Sequence, residues 1–304
     1  MKKFFRLTAL LAAVAVLAGL PLWVGAYLMG VLTVGFYFGV FSMSWDLLFG
    51  FAGEVNFGPT FLIGLGAYGA GLLDNQGLPL WLSCIAGSAI AVVGGVLLAL
   101  PALRLRGPYF GLITLVAVLI LQQMIIIFAS VTGGEIGLTI NDVLSIDTTT
   151  NYYYALIFMV VSGVILTLLS RSPLGLILQA TGQDPIQAQA LGFNVAKHKL
   201  AAFCVSAMFS GLAGALLVFY LGTASVGSII DISVGVQIII AAVLGGRRTI
   251  FGAAIGSMVL ILAGELLRPL GELSSFVVAA CALVVILLVP DGLIGYAAGH
   301  RSTR

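Results

Sequence analysis

The sequence predicts an all-α protein, a polytopic integral membrane bundle of about ten spans with some short or broken helices. Three observations predict it. Mean hydropathy is +1.20. Charged residues make up 8% of the chain, far below the ~25% of soluble domains. Apolar runs recur from end to end, separated by short polar or glycine-rich stretches. In lipid only helices and closed barrels satisfy the backbone, and the short alternating segments of a barrel are absent. Residues 1–304 read as a single transmembrane domain, with no soluble module long enough to fold alone.

The candidate spans, in order, are 7–24, 27–48, 59–73, 80–101, 109–130, 152–170, 199–221, 233–246, 250–267 and 273–289. Most approach the ~20 residues that a crossing helix needs. The first follows a basic start (Lys2, Lys3, Arg6) and is rich in alanine, like a signal peptide with cleavage points near Gly19 or Ala26. An uncleaved first span is favoured, because the charge pattern depends on it.

Cytoplasmic loops of membrane proteins collect Lys and Arg. With the N-terminus in the cytoplasm and alternating spans, that side receives Lys2, Lys3, Arg6, Arg104, Arg106, Arg171, Lys197, Lys199, Arg247, Arg248, Arg301 and Arg304. The opposite side receives only Arg268. Both termini and the stretch 171–199 are then cytoplasmic. Loop 131–151 is extracellular, carries Glu135, Asp142 and Asp147 with no basic residue, and has turn and extended signals that predict an ordered loop.

The polar stretch 171–199 holds its own short helix. Asp184 is a good N-cap, Pro185 suits the first helical position, no breaker follows through Leu191, and Gly192 can take the left-handed conformation that ends a helix. An isolated helix between spans is either a docking handle for a partner or an ordinary interfacial helix.

Two spans are too short for simple crossings. Span 59–73 follows the glycine-rich run 50–58, and span 233–246 follows Gly222, Ser225, Gly227 and Ser228. Short, interrupted segments in matching positions of two halves mark broken helices at a transport site. Five spans per half would make the halves an inverted repeat. Glu54, Asn56 and Gly58 in the first interruption, with Gly66 and Tyr68 beyond it, are candidate pathway residues. The competing reading puts Glu54 at the cytoplasmic membrane edge, since a carboxylate at the bilayer centre costs ~2.5–3.5 kcal/mol on insertion scales. Gly64, Gly71, Gly211 and Gly214 suit close helix packing.

Enzyme chemistry is not supported. Cys84, Cys204 and Cys281 are scattered in apolar runs, His198 and His300 lie beside basic residues, and no serine has an accompanying base. No catalytic residue, metal site or cofactor is expected, and no nucleic-acid partner. No G-x-x-x-x-G-K-[ST] motif occurs, so the chain has no P-loop of its own. Asp46, Asp231 and Glu265 fall near span ends, so the span centres lack the ionisable groups of most proton- or ion-coupled carriers. An ion-coupled secondary transporter of a small solute is the alternative, since backbone carbonyls can ligate sodium.

Three groups of residues resemble a known family. Gly50-Phe51-Ala52-Gly53-Glu54-Val55-Asn56-Phe57-Gly58 with Gly64-Leu65-Gly66-Ala67-Tyr68 is the first. The second runs from Ala188 to Val195, then Lys199 to Phe203 and Ser210 to Ala215. The third is Val243-Leu244-Gly245-Gly246 with Phe251-Gly252, and Pro290-Asp291-Gly292 near the end. In order and spacing they resemble the permease subunits of bacterial ABC importers for branched-chain amino acids, urea and short amides. Arg106 to Tyr109 is also similar to that family.

The resemblance implies a subunit of the bacterial inner membrane without its own ATPase site. It implies two cytoplasmic ATPase subunits that use ATP, a second permease subunit and an extracytoplasmic solute-binding protein, all around a chain bathed in membrane lipid. Asp184, Pro185, Ile186, Ala188, Ala190, Leu191 and Gly192 then form the helix that couples to the ATPase. Four places depart from the family's pattern, one of them Val289, where an arginine often precedes the terminal Pro-x-Gly. The approach 178–183 is uncharged, Asn56 replaces a common serine, and Pro59 follows Gly58.

Overall fold

The computed structural model describes residues 12–103 and 109–271, with isolated positions (273, 277, 279, 280, 283, 284 and 292) beyond. The predicted span 273–289 apart from those isolated positions, the Arg106 to Tyr109 motif apart from Tyr109, the Pro290 motif apart from Gly292, Cys281 and His300 lie outside the described residues.

The chain is helical almost throughout. A short apolar helix, α1 (Ala12–Leu22), precedes α2 (Ala26–Asp46), whose last turn continues as a π-helical segment, Leu47–Ala52. Gly53, at φ +72°, ends it, as a residue without Cβ can. Then follow α3 (Pro59–Asn75), α4 (Leu80–Ala102), α5 (Tyr109–Ile127), a single turn α6 (Ala129–Thr132) and α7 (Thr148–Arg171). After α8 (Pro173–Gln183) and α9 (Pro185–Ala190) come α10 (Val195–Leu221), α11 (Ile232–Gly245) and α12 (Ile250–Leu266). Two short strands, β1 (Leu138–Thr139) and β2 (Thr223–Ala224), pair antiparallel.

Six helical stretches among the described residues are long and apolar enough to cross a membrane: Ala26–Ala52, Leu80–Ala102, Tyr109–Ile127, Thr148–Arg171, Val195–Leu221 and Val226–Gly245. The sequence predicts about ten spans; α3 and α12 have 17 residues each and α1 is shorter still.

The core is built around α2 and α10. Phe36, Val40 and Met43 of α2 and Leu47 of the π-helical segment are fully buried, as are Ala207, Ala213, Val218 and Phe219 of α10. Helices α3 and α4 lie against α10, while α7, α11 and α12 lie against α2. Two pairs of serine hydroxyls inside this core satisfy one another, as groups away from water tend to. Ser44 Oγ lies 2.7 Å from Ser210 Oγ, and Ser257 Oγ donates to Ser42 Oγ at 2.8 Å. The outer faces of α4, α5 and α7 expose Leu97, Ile127 and Leu168, the apolar surface that hydrocarbon requires.

Glycines set the closest approaches. A Cβ at Gly66 of α3 would overlap the carbonyl of Gly211 in α10, and a Cβ at Gly214 would overlap the carbonyl of Ile63. Small residues let backbones meet where lipid gives helices no hydrophobic drive to associate. The expected packing role of Gly211 and Gly214 is what the geometry displays. Gly64 instead faces Ile230 and Leu121, and Gly71 faces Ile140.

The stretch 171–199 differs from its expected form. It is three helical pieces rather than a loop holding one. Ser172 and Pro173 start α8, with proline in the first turn. Asp184 is held extended at φ −143°, ψ 96°, because a residue before proline is pushed out of the helical region. That single constraint separates α8 from α9. The uncharged approach 178–183 is the second half of α8, and Leu178 and Thr181 are fully buried there.

Candidate coupling and translocation site

The helix α9 is closed at both ends by local chemistry. Asp184 Oδ1 accepts from the N–H groups of Ile186 at 2.9 Å and Gln187 at 3.0 Å. Pro185 occupies the first position, where no N–H is needed. At the other end Gly192 takes φ +87°. The Phe193 N–H donates to the Ala188 carbonyl at 3.1 Å and the Gly192 N–H to the Gln189 carbonyl at 2.9 Å, the two bonds of a Schellman motif. Ala188 is buried, while Ile186, Ala190 and Leu191 point outward, with Ile186 78% and Leu191 76% exposed. Asn194 then caps α10, its Oδ1 accepting from Lys197 N at 3.0 Å. A shallow open pocket of about 340 Å³ lies beside this junction, lined by Gln189 and residues 192–196.

The first interrupted segment, 53–58, joins the end of α2 to α3. Asn56 is buried, and its Oδ1 accepts from the Gly58 N–H at 2.9 Å. That bond is a local turn of the kind Asn favours, and it delivers the chain to Pro59 at the first position of α3. Asn56 and Pro59, the departures from the family pattern, thus act together as the start signal of α3. The Asn56 carbonyl accepts from Trp45 Nε1 at 2.6 Å, and the Phe57 N–H donates to Thr114 Oγ1 at 3.0 Å. A Cβ at Gly58 would overlap the Thr114 carbonyl. Gly66 touches α10 as described, and Tyr68 is buried with its hydroxyl unpartnered among protein groups.

Glu54 forms an ion pair with Lys199 in the first turns of α10. The candidate residues therefore divide. Glu54 lies against the coupling stretch, Asn56 and Gly58 shape the start of α3, and Gly66 and Tyr68 sit deeper in the bundle. Sequence reasoning singled out Glu54 and Lys199 separately but did not pair them. It also missed Gly182, whose Cβ would stand 2.7 Å from the Phe51 carbonyl. It left unused the start signal of α8 in Ser172 and Pro173.

The second interruption, 222–231, contains β2 and a π-helical turn, Val226–Ile230, before α11. Asp231 caps α11 through the Ser233 N–H at 2.7 Å. The second interruption lies against α3: Ile230 fills the space beside Gly64, its carbonyl accepts from Gln122 Nε2 at 3.0 Å, and beyond it Gly235 of α11 faces Pro59 and Thr60.

At the other end of α3, Asp74 Oδ2 accepts from the Asp142 N–H at 3.1 Å. Asn75 donates to the Thr139 carbonyl at 2.8 Å and accepts from the Asn141 N–H at 3.2 Å. The predicted loop 131–151 overlaps α6 at its start and the first turn of α7 at its end, and its strand β1 pairs with β2, Leu138 opposite Ala224 and Thr139 opposite Thr223. Among the described residues no three His, Cys, Asp or Glu side chains gather closely enough to hold a metal ion.

Comparison with known proteins follows the same lines. The LivM permease protein of the high-affinity branched-chain amino acid transport system of Escherichia coli K12 is 26% identical over 323 residues, spanning 96% of this chain and 75% of that protein. The ribose import permease protein RbsC of Haemophilus influenzae is 26% identical over 67% of this chain and 71% of its own length. A solved structure described as an inward-facing ABC transporter of metal-chelate type shares the fold, with TM-score 0.55 at 18% identity, covering 94% of this chain and 99% of that one. The family profile described as branched-chain amino acid transport system / permease component matches residues 27–289. On that match the chain belongs to the family of permease components of branched-chain amino acid transport systems.

Proposed function

We propose that the chain is one membrane-spanning half of an ATP-driven importer for branched-chain amino acids or related small polar solutes. It works with two cytoplasmic ATPase subunits, a second permease subunit and an extracytoplasmic solute-binding protein. It sits in the bacterial inner membrane as one transmembrane domain of ten crossings, with both termini cytoplasmic, and performs no hydrolysis itself. The family match supports the class of machine, and the relatives that transport branched-chain amino acids support the cargo.

The observation that carries the coupling role is α9, a helix capped at both ends that offers Ile186 and Leu191 outward. Apolar anchors on a preformed helix suit a groove in a soluble partner. ATP binding draws the ATPases together, α9 moves with them, and the interrupted helices α3 and α11 reorganise around the pathway. Asn56, Gly58, Gly66 and Tyr68 border that pathway in this reading. The triple variant Asp184→Ala, Pro185→Ala and Gly192→Val, assembled in the complex, is expected to lose both uptake of radiolabelled leucine and its coupling to ATP hydrolysis. Retention of both removes the coupling role. Uptake that follows an ion gradient and ignores ATP depletion favours the ion-coupled alternative.

A further inference from the structure

We infer that Glu54 is a positioning residue of the coupling machinery, not a solute ligand: with Gly53 it clamps the start of the interrupted segment to both helices that flank α9. This inference rests on the proposed docking role of α9.

The juxtaposition is specific. Helix α9 is held between α8 and α10, and two adjacent residues of the interruption reach one helix each. Gly53 lies against α8: a Cβ there would stand 2.8 Å from the Gly182 carbonyl, and its φ of +72° admits little but glycine. The contact is reciprocal, since a Cβ at Gly182 would meet the Phe51 carbonyl at 2.7 Å and the Gly53 nitrogen at 3.0 Å. Glu54 reaches α10 through its ion pair with Lys199. Both side chains are largely withdrawn from solvent, Lys199 at 13% and Glu54 at 18% exposure.

A carboxylate serving as a solute ligand needs a charge balance that changes when solute leaves. The Glu54 charge is already answered by Lys199. Removing either partner strands the other's charge in a poorly solvated place, which is far costlier than losing an exposed pair. The pair therefore resists separation and carries displacement. Its position defines the route. A shift of α9 passes through the Asn194 cap to the first turns of α10, across Lys199 to Glu54, and along 55–58 to the Asn56–Pro59 start of α3. Helix α10 supports α3 a second time at Gly66 and Gly211, so α3 is held along its flank while its starting end is pulled.

The test uses the complex purified through a tag on this chain and reconstituted in vesicles, with radiolabelled leucine as the probe. Glu54→Lys and Lys199→Glu are each expected to lower leucine transported per ATP hydrolysed at least tenfold. The half-saturating leucine concentration is expected to stay within twofold. The double swap, which restores the pair reversed, is expected to recover most of the ratio. Glu54→Gln keeps the shape without the charge and serves where a charge-reversed single variant fails to accumulate; its ratio is expected to fall with the half-saturating concentration unchanged. A double swap no better than either single, or a Glu54→Gln variant that shifts the half-saturating concentration while hydrolysis stays coupled, overturns the inference. Copurification of ATPase subunits with the unaltered chain is scored separately. Its absence removes the docking reading and the clamp together, whereas its presence with no rescue removes the clamp alone.

Discussion

The two ends of α3 are fastened by different chemistry. At the coupling end, the fastening is a backbone-to-backbone contact between Gly53 and Gly182 plus the ion pair of Glu54 and Lys199. At the far end it is a set of hydrogen bonds from Asp74 and Asn75 to the backbone of loop 131–151. The first joins α3 to α8 and α10, the elements that flank α9. The second joins it to a loop that is itself stitched by β1 and β2 to the second interruption. A charge pair and a steric contact transmit force in one direction of approach, while several short hydrogen bonds to a loop hold position. Under the proposed coupling role, the difference means that one end of α3 is built to be moved and the other to be kept.

Four changes break or sharpen that contrast. The largest effect is expected from Gly53→Val, which demands a left-handed β-branched residue against the Gly182 carbonyl. Such backbone strain costs about 1–3 kcal/mol. Leucine uptake per ATP is expected to fall more than tenfold, measured in the reconstituted complex. Next is Asp74→Ala at the far end. It leaves the Asp142 N–H without its acceptor, a loss of about 1–3 kcal/mol visible as a lower Tm of the purified protein, with uptake per ATP unchanged. If Asp74→Ala uncouples as severely as Gly53→Val, the two ends are equivalent and the contrast fails.

Asp184→Ala should cost about 1 kcal/mol of cap energy in α9. It is read as weaker retention of the ATPase on a tagged complex, with little change in Tm. The smallest effect is expected at Asp147, which caps α7. Hydrogen bonds from the Thr150 side chain and backbone hold its carboxyl below the ordinary 3.8. A carboxyl lowered on folding adds stability that is full above its unfolded value and fades as pH falls through the lowered folded one. Asp147→Asn is therefore expected to flatten the pH dependence of Tm slightly in the acid range below about 4, and to do nothing at neutral pH to coupling.

What the sequence reveals of this molecule follows the range of the forces involved. The caps of α9 are local: Asp184, Pro185 and Gly192 act on neighbours within a few residues, and each takes the predicted role in the helix. Loop 131–151 carries turn residues. The partners of these features are not local. Glu54 and Lys199 are 145 positions apart, and charge topology could set them on one face but not in contact. Gly211 reads as a packing glycine and Gly66 as a pathway candidate, yet nothing in either neighbourhood names the other.

The stretch 178–183 misleads for a different reason. Thr181 and Gly182 resemble a loop, but the start of α8 at Ser172 and Pro173 and a buried face at Leu178 make it helical. Short helices are the hardest case. An α3 of 17 residues depends on its neighbours at Gly58, Gly66 and Gly71, and its length alone says little about whether it crosses a bilayer.

The double closure of α9 has a thermodynamic consequence for assembly. A flexible loop that became helical only on meeting its partner would spend part of its binding energy on ordering itself. With Asp184 satisfying the first N–H groups and the Gly192 turn satisfying the last carbonyls, that ordering is complete beforehand. Rigid preorganisation shifts binding free energy into affinity. If α9 docks an ATPase as proposed, the surface left to choose among ATPases is the side-chain relief of Ile186, Gln187, Ala190 and Leu191, so partner selectivity can change by substitution there without disturbing the helix that presents it.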